Sequence, residues 1–170
     1  MPEVIDVASN PGDYEAFARL VSVYVDWCRA RYADLEWFVE EVFGHQCLDA
    51  ELAALPTSYG PPAGRTLLVR SGGQIGGGGA YRKLPDGSCE MKRLFVPDPF
   101  RGRGLGRKLC EALISAAHDD GHQLMRLETG NRLTEAISMY KSLGFEYCAP
   151  YRQYPAHLMP YLVSMELPLT

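Results

Sequence analysis

A glycine-rich turn in the middle of the chain is the segment best suited to bind an anionic group. Arg101-Gly102-Arg103-Gly104-Leu105-Gly106 places glycines at alternate positions. The turn follows a strand predicted over residues 89–96 and precedes the 3.6-residue apolar spacing of an amphipathic helix. Glycines let the backbone approach a ligand closely, and the N–H groups and positive dipole of a helix N-terminus attract anions. The segment therefore predicts an anion site at a strand-to-helix junction.

Two common phosphate-binding motifs do not match this turn. A mononucleotide loop needs Gly-x-x-x-x-Gly-Lys-Ser/Thr, and no Lys-Ser/Thr pair follows here. A dinucleotide fold needs Gly-x-Gly-x-x-Gly after an early strand, whereas this run is Gly-x-Gly-x-Gly in mid-chain. Nucleotide binding is therefore disfavoured. An experiment that detected magnesium-dependent ATP binding would make it an alternative again.

Basic side chains concentrate near the same turn, while the chain as a whole is acidic. The formal net charge of −4 argues against nucleic acid as a partner, because phosphate backbones require a clustered basic face. We expect the local cations to surround the turn and to bind a small polyanion. They are Lys92, Arg93, Arg101, Arg103, Arg107 and Lys108.

A second motif closes the next predicted helix. Residues 123–128 alternate as a strand, residues 133–143 follow as a helix, and residues 140–145 read Tyr-x-x-Leu-Gly-Phe. The first turn matches Arg/Gln-x-x-Gly-x-Gly/Ala through Arg101, Gly104 and Gly106. These two motifs, in this order, resemble the signatures of the GCN5-related N-acetyltransferase (GNAT) superfamily. The resemblance covers residues 65–167 well and the N-terminal third in outline.

The resemblance implies acetyl-CoA as co-substrate. Backbone amides of the turn would hold the pyrophosphate, the end of the fourth strand would pair with the pantetheine arm, and the Leu94 N–H would be the oxyanion donor. Many family members carry an Asn where this chain has Leu133, and Asn131 is the nearby substitute. The implied cofactor-binding residues are Leu94, Phe95, Val96, Arg101, Gly102, Arg103, Gly104, Leu105, Gly106, Arg107 and Asn131.

The resemblance also implies two catalytic residues. Tyr140 matches the general acid that protonates the departing thiolate, and its alternative role is that of an ordinary helix tyrosine packed on the sheet. Glu90, four residues before Leu94, matches a general base, since the acceptor ammonium must lose a proton before attack. Its alternative role is an ion pair with Arg93 or Lys92, with water as the base.

Three further residues are expected at the acceptor. Glu128, at the end of the fifth strand, is a second carboxylate that could hold the amine or act as the base. Trp37 is expected to line the acceptor pocket, although aromatic residues at helical spacing more often belong to the core. Tyr81 is expected to supply a hydroxyl to the substrate, with an ordinary place on a surface loop as its alternative. The acidic net charge favours cationic acceptors such as polyamines, aminoglycosides or lysine side chains.

Length and composition indicate one globular domain over residues 1–170, and the resemblance implies that it is a GNAT domain. The chain is 46% hydrophobic, and its five cysteines have neither Cys-x-x-Cys spacing nor histidine partners, so no metal site or disulfide framework is expected. No charged apolar leader or membrane-length apolar run is seen, which predicts a soluble cytoplasmic protein without membrane partners. A homodimer is compatible with the sequence.

The predicted fold is α/β (α+β), and the resemblance specifies it further. It implies a mixed, mainly antiparallel sheet of about seven strands, with helices on both faces and splayed parallel strands four and five. Local patterns predict further strands over 4–7, 66–70, from 74, over 146–149 and over 161–167, and helices over 14–32 and 35–54, the latter interrupted at Gly44. A loop is expected from Pro56 to Gly64. The glycines at 76–79 predict a bulged strand or a close backbone approach.

The favoured function is direct acetyl transfer from acetyl-CoA to a small or protein-borne primary amine within a ternary complex. A non-catalytic acyl-CoA-binding or sensing module is the alternative from another class. The presence of both Tyr140 and Glu90 argues against that alternative, because binding requires neither.

Overall fold

A computed structural model describes residues 2–170. Within them, one sheet has the strand order β1-β2-β3-β4-β5-β7-β6. Its strands are β1 (Val4–Val7), β2 (Gly64–Ser71), β3 (Gln74–Lys83), β4 (Cys89–Phe95), β5 (Leu124–Gly130), β6 (Glu146–Tyr147) and β7 (Leu162–Pro168). The α-helices are α1 (Pro11–Arg31), α2 (Glu36–His45), α3 (Leu48–Ala53), α4 (Leu55–Tyr59), α5 (Leu105–Asp119) and α6 (Thr134–Ser142). Short 3-10 turns are Ala33–Leu35, Asp98–Phe100 and Met159–Tyr161.

Strands β4 and β5 are parallel, whereas the other neighbours run antiparallel. The parallel pair is registered only through Cys89↔Met125 and Glu90↔Arg126, after which the two strands diverge. The prediction of a mixed sheet with splayed fourth and fifth strands is therefore confirmed.

Helices cover both faces of the sheet. On one face, the apolar stripe of α5 (Leu105, Leu109 and Leu113) packs into a core with Met125 of β5. On the other face, α1 packs Phe17 and its neighbours against β2, β3 and β4. Burial of these two helical faces removes apolar surface from water and supplies the main driving force for the fold.

At its glycines, strand β3 lies in close contact with α1 on one face and α5 on the other. A Cβ atom added to Gly78 would lie 2.8 Å from Leu20 Cδ2 of α1, and one added to Gly79 would lie 2.9 Å from Leu113 Cδ1 of α5. Glycine is required here because two helices approach one strand closely. Both predicted features are present, since β3 is also bulged against β2, where Gly77 pairs with Val69 but Ile75 pairs with Arg70. The register of β3 with β4 shifts as well, between Gly78 and Ala80.

That shift is a bulge in β4. Phe95 pairs with Gly78 while Lys92 pairs with Ala80, and Arg93 adopts a left-handed conformation with φ of 60°. A bulge inserts an extra residue and redirects the side chains around it. It lies beside the opening between β4 and β5.

The N-terminal helices differ in part from the sequence prediction. Asn10 caps α1, and its side-chain oxygen accepts a hydrogen bond from the Asp13 N–H at 3.1 Å. The helix predicted over 35–54 is divided at Cys47, whose φ of 55° interrupts the helical path three residues beyond the predicted break at Gly44. Part of the predicted loop is α4, because Pro56 is compatible with a first helical turn and Tyr59 is fully buried.

No helix within residues 2–170 combines the length and the apolar character needed to cross a membrane.

Candidate active site

A cavity of about 350 Å³ lies where β4 and β5 diverge. It extends from the N-terminus of α5 at Gly106, past α6, to the apolar faces of α1 and α2. The carboxylates of Glu90 and Glu128 and the hydroxyl-bearing Tyr140 belong to its lining. The opening in the sheet therefore connects the predicted anion site with a set of titratable side chains.

The glycine turn has the backbone geometry of an anion-binding loop. Gly102 and Gly104 have φ values of 79° and 72°, in the left-handed region that residues other than glycine rarely adopt. Gly104 is the N-cap of α5 and the first helical hydrogen bond runs from the Lys108 N–H to the Gly104 carbonyl at 3.1 Å. The amides of Leu105, Gly106 and Arg107 consequently have no helical acceptor and are available to an anion.

The arginines around the turn occupy different environments. Arg101 lines the cavity, donates from Nε to the Val96 carbonyl at 2.9 Å and lies 4.7 Å over the Trp27 ring. Arg103 lies over Phe100, and Arg107 donates to Ser142 Oγ at 2.7 Å, both outside the cavity lining. Among the three, Arg101 is the one placed at the mouth of the cavity.

The end of β4 presents an open backbone edge to the cavity. Its pairing with β5 ends at Glu90, and Leu94, Phe95 and Val96 are all part of the lining. Strand edges with free N–H and C=O groups readily accept another extended chain. This edge can pair with an extended arm that carries amide groups.

Tyr140 belongs both to the core and to the cavity lining. Its ring packs at 5.7 Å from that of Phe145 in the core, and the residue also lines the cavity. Burial raises the pKa of the Tyr140 hydroxyl well above its ordinary value, so the group keeps its proton at neutral pH.

Glu90 is engaged by cations on several sides. Its carboxylate accepts hydrogen bonds from Arg152 Nη2 at 2.7 and 2.8 Å, from Arg82 Nη2 at 3.1 Å and from the Tyr151 hydroxyl at 2.7 Å. Burial alone would raise the pKa of Glu90, but Lys92 and Arg152 together lower it. The alternative pairing with Arg93 is wrong, because Arg93 binds Glu51 instead. A carboxylate this well compensated is a weak base.

Glu128 has fewer cationic partners. Arg152 Nε donates to it at 2.9 Å and the Tyr154 hydroxyl lies at 3.4 Å. Burial raises the pKa of Glu128 above its ordinary value despite Arg152. The two cavity carboxylates thus share one guanidinium but differ in basicity.

A buried ionic cluster near α3 was not anticipated from the sequence. Glu51 accepts hydrogen bonds from Arg93 Nε at 2.8 Å and from the Tyr59 hydroxyl at 2.6 Å, and it lies 3.8 Å from Lys92 Nζ. The expectation that Lys92 and Arg93 surround the glycine turn is wrong, since both are buried against α3. No local pattern links Glu51 or Arg152 to β4, so sequence spacing could not reveal them.

Apart from residues of the glycine turn, three further predicted site residues lie outside the cavity lining. Tyr81 is buried on the α5 side of the sheet, where its hydroxyl bonds to Asp120. Trp37 is 41% exposed and packs against the rings of His157 and Tyr161. Asn131 accepts a hydrogen bond from the Tyr32 hydroxyl at 3.3 Å, while Leu133 occupies the lining position.

Comparison with known proteins gives a consistent family match. Residues 27–145 match the model of the acetyltransferase (GNAT) family. An uncharacterized N-acetyltransferase of Schizosaccharomyces pombe is 33% identical over 168 residues, which cover 98% of this chain and 94% of that protein.

Solved structures share the fold over nearly the whole chain. A Klebsiella pneumoniae protein assigned as an acyl-CoA N-acyltransferase superposes with a TM-score of 0.69 and 28% identity, covering 99% of this chain and 98% of that one. A Salmonella typhimurium protein assigned as an acetyltransferase, solved with its cofactor acetyl-CoA, superposes with a TM-score of 0.62 and 18% identity over 100% and 95% of the two chains. The second likeness, at its low identity, bears on the fold alone.

Proposed function

Because this chain belongs to the acetyltransferase (GNAT) family and is therefore an N-acetyltransferase, we propose that it transfers the acetyl group of acetyl-CoA directly to a primary amine within a ternary complex. The observation that carries the proposal is the single cavity that joins the α5 N-terminus to Tyr140 and Glu128. A continuous cavity allows cofactor and acceptor to be held together, as direct transfer requires.

The chain's own groups fit the cofactor. The amides of residues 105–107 and the Arg101 guanidinium would bind the pyrophosphate, and the open β4 edge at Leu94–Val96 would pair with the amides of the pantetheine arm. When bound, acetyl-CoA supplies a thioester whose carbonyl carbon is open to attack by an amine. The Leu94 N–H then donates to the carbonyl oxygen as negative charge develops on it.

Proton movements are assigned from the environments of the two carboxylates and Tyr140. Glu128 takes up the proton released by the amine, because burial raises its pKa while Glu90 is held as a stable anion by Arg82 and Arg152. Tyr140 donates its proton to the departing thiolate from a site where burial keeps it protonated. Glu90 is thereby assigned to positioning Arg152 rather than to proton transfer.

The proposal is tested by calorimetric titration with acetyl-CoA, followed by thiol release across a panel of amines. We expect binding, amine-dependent release, and a loss of release without loss of binding in Tyr140→Phe. A ping-pong kinetic pattern would contradict direct transfer, and an absence of acetyl-CoA binding would overturn the assignment of the glycine turn.

A further inference from the structure

Two cations stand side by side in the cavity wall because of the bulge in β4. Successive side chains of a regular strand point to opposite faces, so Lys92 and Arg93 would normally be separated. With Arg93 at φ of 60°, both instead face the Glu51 carboxylate, Lys92 Nζ at 3.8 Å from Oε1 and Arg93 Nε at 2.8 Å from Oε2. The irregular backbone therefore builds a paired cationic site.

Neither cation is fully satisfied by the residues described. The Lys92 ammonium lies 3.8 Å from Glu51 and 4.0 Å from Glu90, beyond hydrogen-bond distance of both, although its side chain is only 7% exposed. Arg93, whose side chain is 4% exposed, has a buried Nη2 with no acceptor within residues 2–170. Since buried donors normally have acceptors, a missing acceptor at this site points to a ligand.

The surrounding charges also favour an anion. The cluster has one more cation than carboxylates; its members are Arg82, Lys92, Arg93 and Arg152 with Glu51, Glu90 and Glu128. Burial, with Arg93 and Arg82 adding to it, lowers the pKa of Lys92 to about 7 against the opposing effect of Glu90 and Glu51. An added carboxylate would restore the ammonium, whereas a polycationic acceptor would meet repulsion. The preference for polyamines suggested by the overall acidic charge is not supported by this local balance.

The nearby wall determines what else the acceptor carries. Beyond Lys92 and Arg93, the cavity is bounded by the apolar side chains of Phe38, Val39, Val42 and Phe43 on α2. Burying an apolar side chain against this wall removes its surface from water, which favours binding. The site thus combines a carboxylate-binding end with an apolar wall.

Resting on the transferase function proposed above, we propose that the acceptor is an amino acid with an apolar side chain, whose carboxylate binds the Lys92 ammonium and Nη2 of Arg93. Lys92 precedes the oxyanion donor Leu94 by two residues, so this placement brings an α-amine close to the thioester. The amine nitrogen forms the amide bond as the carbon–sulfur bond breaks. Its proton passes to Glu128, and the thiolate takes a proton from Tyr140.

The test compares each amino acid with its decarboxylated counterpart. L-phenylalanine, L-leucine and L-methionine are paired with 2-phenylethylamine, 3-methylbutylamine and 3-(methylthio)propylamine, and kcat/KM is measured by thiol release. We expect the wild-type protein to prefer the amino acid of at least one pair. In Lys92→Met, kcat/KM for that amino acid should fall by about tenfold or more relative to kcat/KM for its paired amine, as for loss of a charged hydrogen bond.

Two variants serve as controls. Lys83→Met makes the same change at an exposed lysine of β3 and should leave both members of each pair unchanged. Lys92→Arg keeps the charge and should retain the preference. The intrinsic reactivity of each amine cancels in the ratio of variant to wild type, so a general loss of folding would lower both members equally.

Several results would overturn the proposal. The first is an equal loss of kcat/KM for the amino acid and its amine in a folded Lys92→Met. The second is a wild-type preference for the amines or for spermidine over the amino acids. The third is that no amino acid is acetylated although the protein binds acetyl-CoA. The last result leaves the transferase function standing, whereas absence of acetyl-CoA binding would instead remove its basis. If Lys92→Met does not fold, the proposal is tested by the ratio of kcat/KM for each amino acid to kcat/KM for its amine, measured in the wild-type protein and in Lys92→Arg.

Discussion

The guanidinium of Arg152 holds both carboxylate oxygens of Glu90 through one nitrogen, at 2.7 and 2.8 Å. Arg152 lies in the loop between β6 and β7, whereas Glu90 lies on β4. The same guanidinium reaches Glu128 on β5 through Nε at 2.9 Å. One side chain of a late loop therefore bridges the two strands that diverge to form the cavity.

Glu128→Gln is expected to lower kcat/KM by about 10²-fold or more, the usual contribution of a positioned general base. The base acts when ionised, so wild-type activity should fall as pH drops through the raised pKa of Glu128. The variant should lose this acidic limb of the pH–rate profile while acetyl-CoA binding, followed by calorimetry, is retained. An unchanged acidic limb would remove Glu128 as the base.

Glu90→Gln is expected to lower the free energy of unfolding by about 3 kcal/mol at neutral pH, more than Glu128→Gln does. The reason is that it leaves Arg82 without a carboxylate partner and Arg152 with Glu128 alone. Partial access of both arginines to water keeps the loss at the low end for a buried pair. Chemical denaturation of the two variants in parallel measures the difference.

The pH dependence of stability provides a second measurement on Glu90. Its folded-state pKa lies below the ordinary value of 4.5, so its stabilising contribution is present above the unfolded-state pKa and is lost as pH falls through the folded-state pKa. Denaturation of wild type and Glu90→Gln across pH 3 to 7, a range about the ordinary Glu pKa, should show curves that converge at the acid end. Parallel curves would show that Glu90 is not a stabilising anion.

Gly78→Ala and Gly79→Ala are each expected to destabilise the fold by about 1–3 kcal/mol, as overpacked core sites do. The added methyl groups would lie within 2.8 Å of Leu20 and 2.9 Å of Leu113. Gly44→Ala, where nothing lies within 4 Å of the new Cβ, is the matched control and should stabilise α2 by up to about 1 kcal/mol. Thermal unfolding distinguishes these signs.

Arg101→Met is expected to weaken acetyl-CoA binding by about tenfold, the loss typical of one charge-assisted hydrogen bond. The same substitution at Arg103, which lies outside the cavity lining, should weaken it less. Calorimetry at two salt concentrations provides the comparison, since the contribution of an exposed charge is screened by salt. Equal effects at both positions would contradict the special placement of Arg101.

Sequence patterns predicted most of the second half of the chain because its signals are local. Glycine turns, strand alternation and helical spacing mark β4, β5 and α6 within one or two residues of their observed ends and place the start of α5 at the glycine turn. The division at Cys47 was harder to place, since its left-handed backbone carries no glycine or proline to mark it.

The ionic cluster could not be predicted for a different reason. Lys92 and Arg93 share a face only because β4 slips by a residue against β3, and this register depends on the packed sheet. Their partner Glu51 is 42 positions from Arg93 in the chain, and Arg152 is 62 positions from Glu90. Contacts of this kind are set by tertiary structure and leave no spacing in the sequence.

Because β4 and β5 are paired at so few positions, the sheet is most easily deformed between these two strands. Two paired positions join a four-stranded half to a three-stranded half, so little backbone hydrogen bonding resists their separation. A cofactor lying along β4 would brace this seam in place of the missing strand contacts, and a ligand at 100 times its Kd adds about 2.7 kcal/mol to stability. We therefore expect the protein with bound cofactor to be more rigid and more stable than the protein without it.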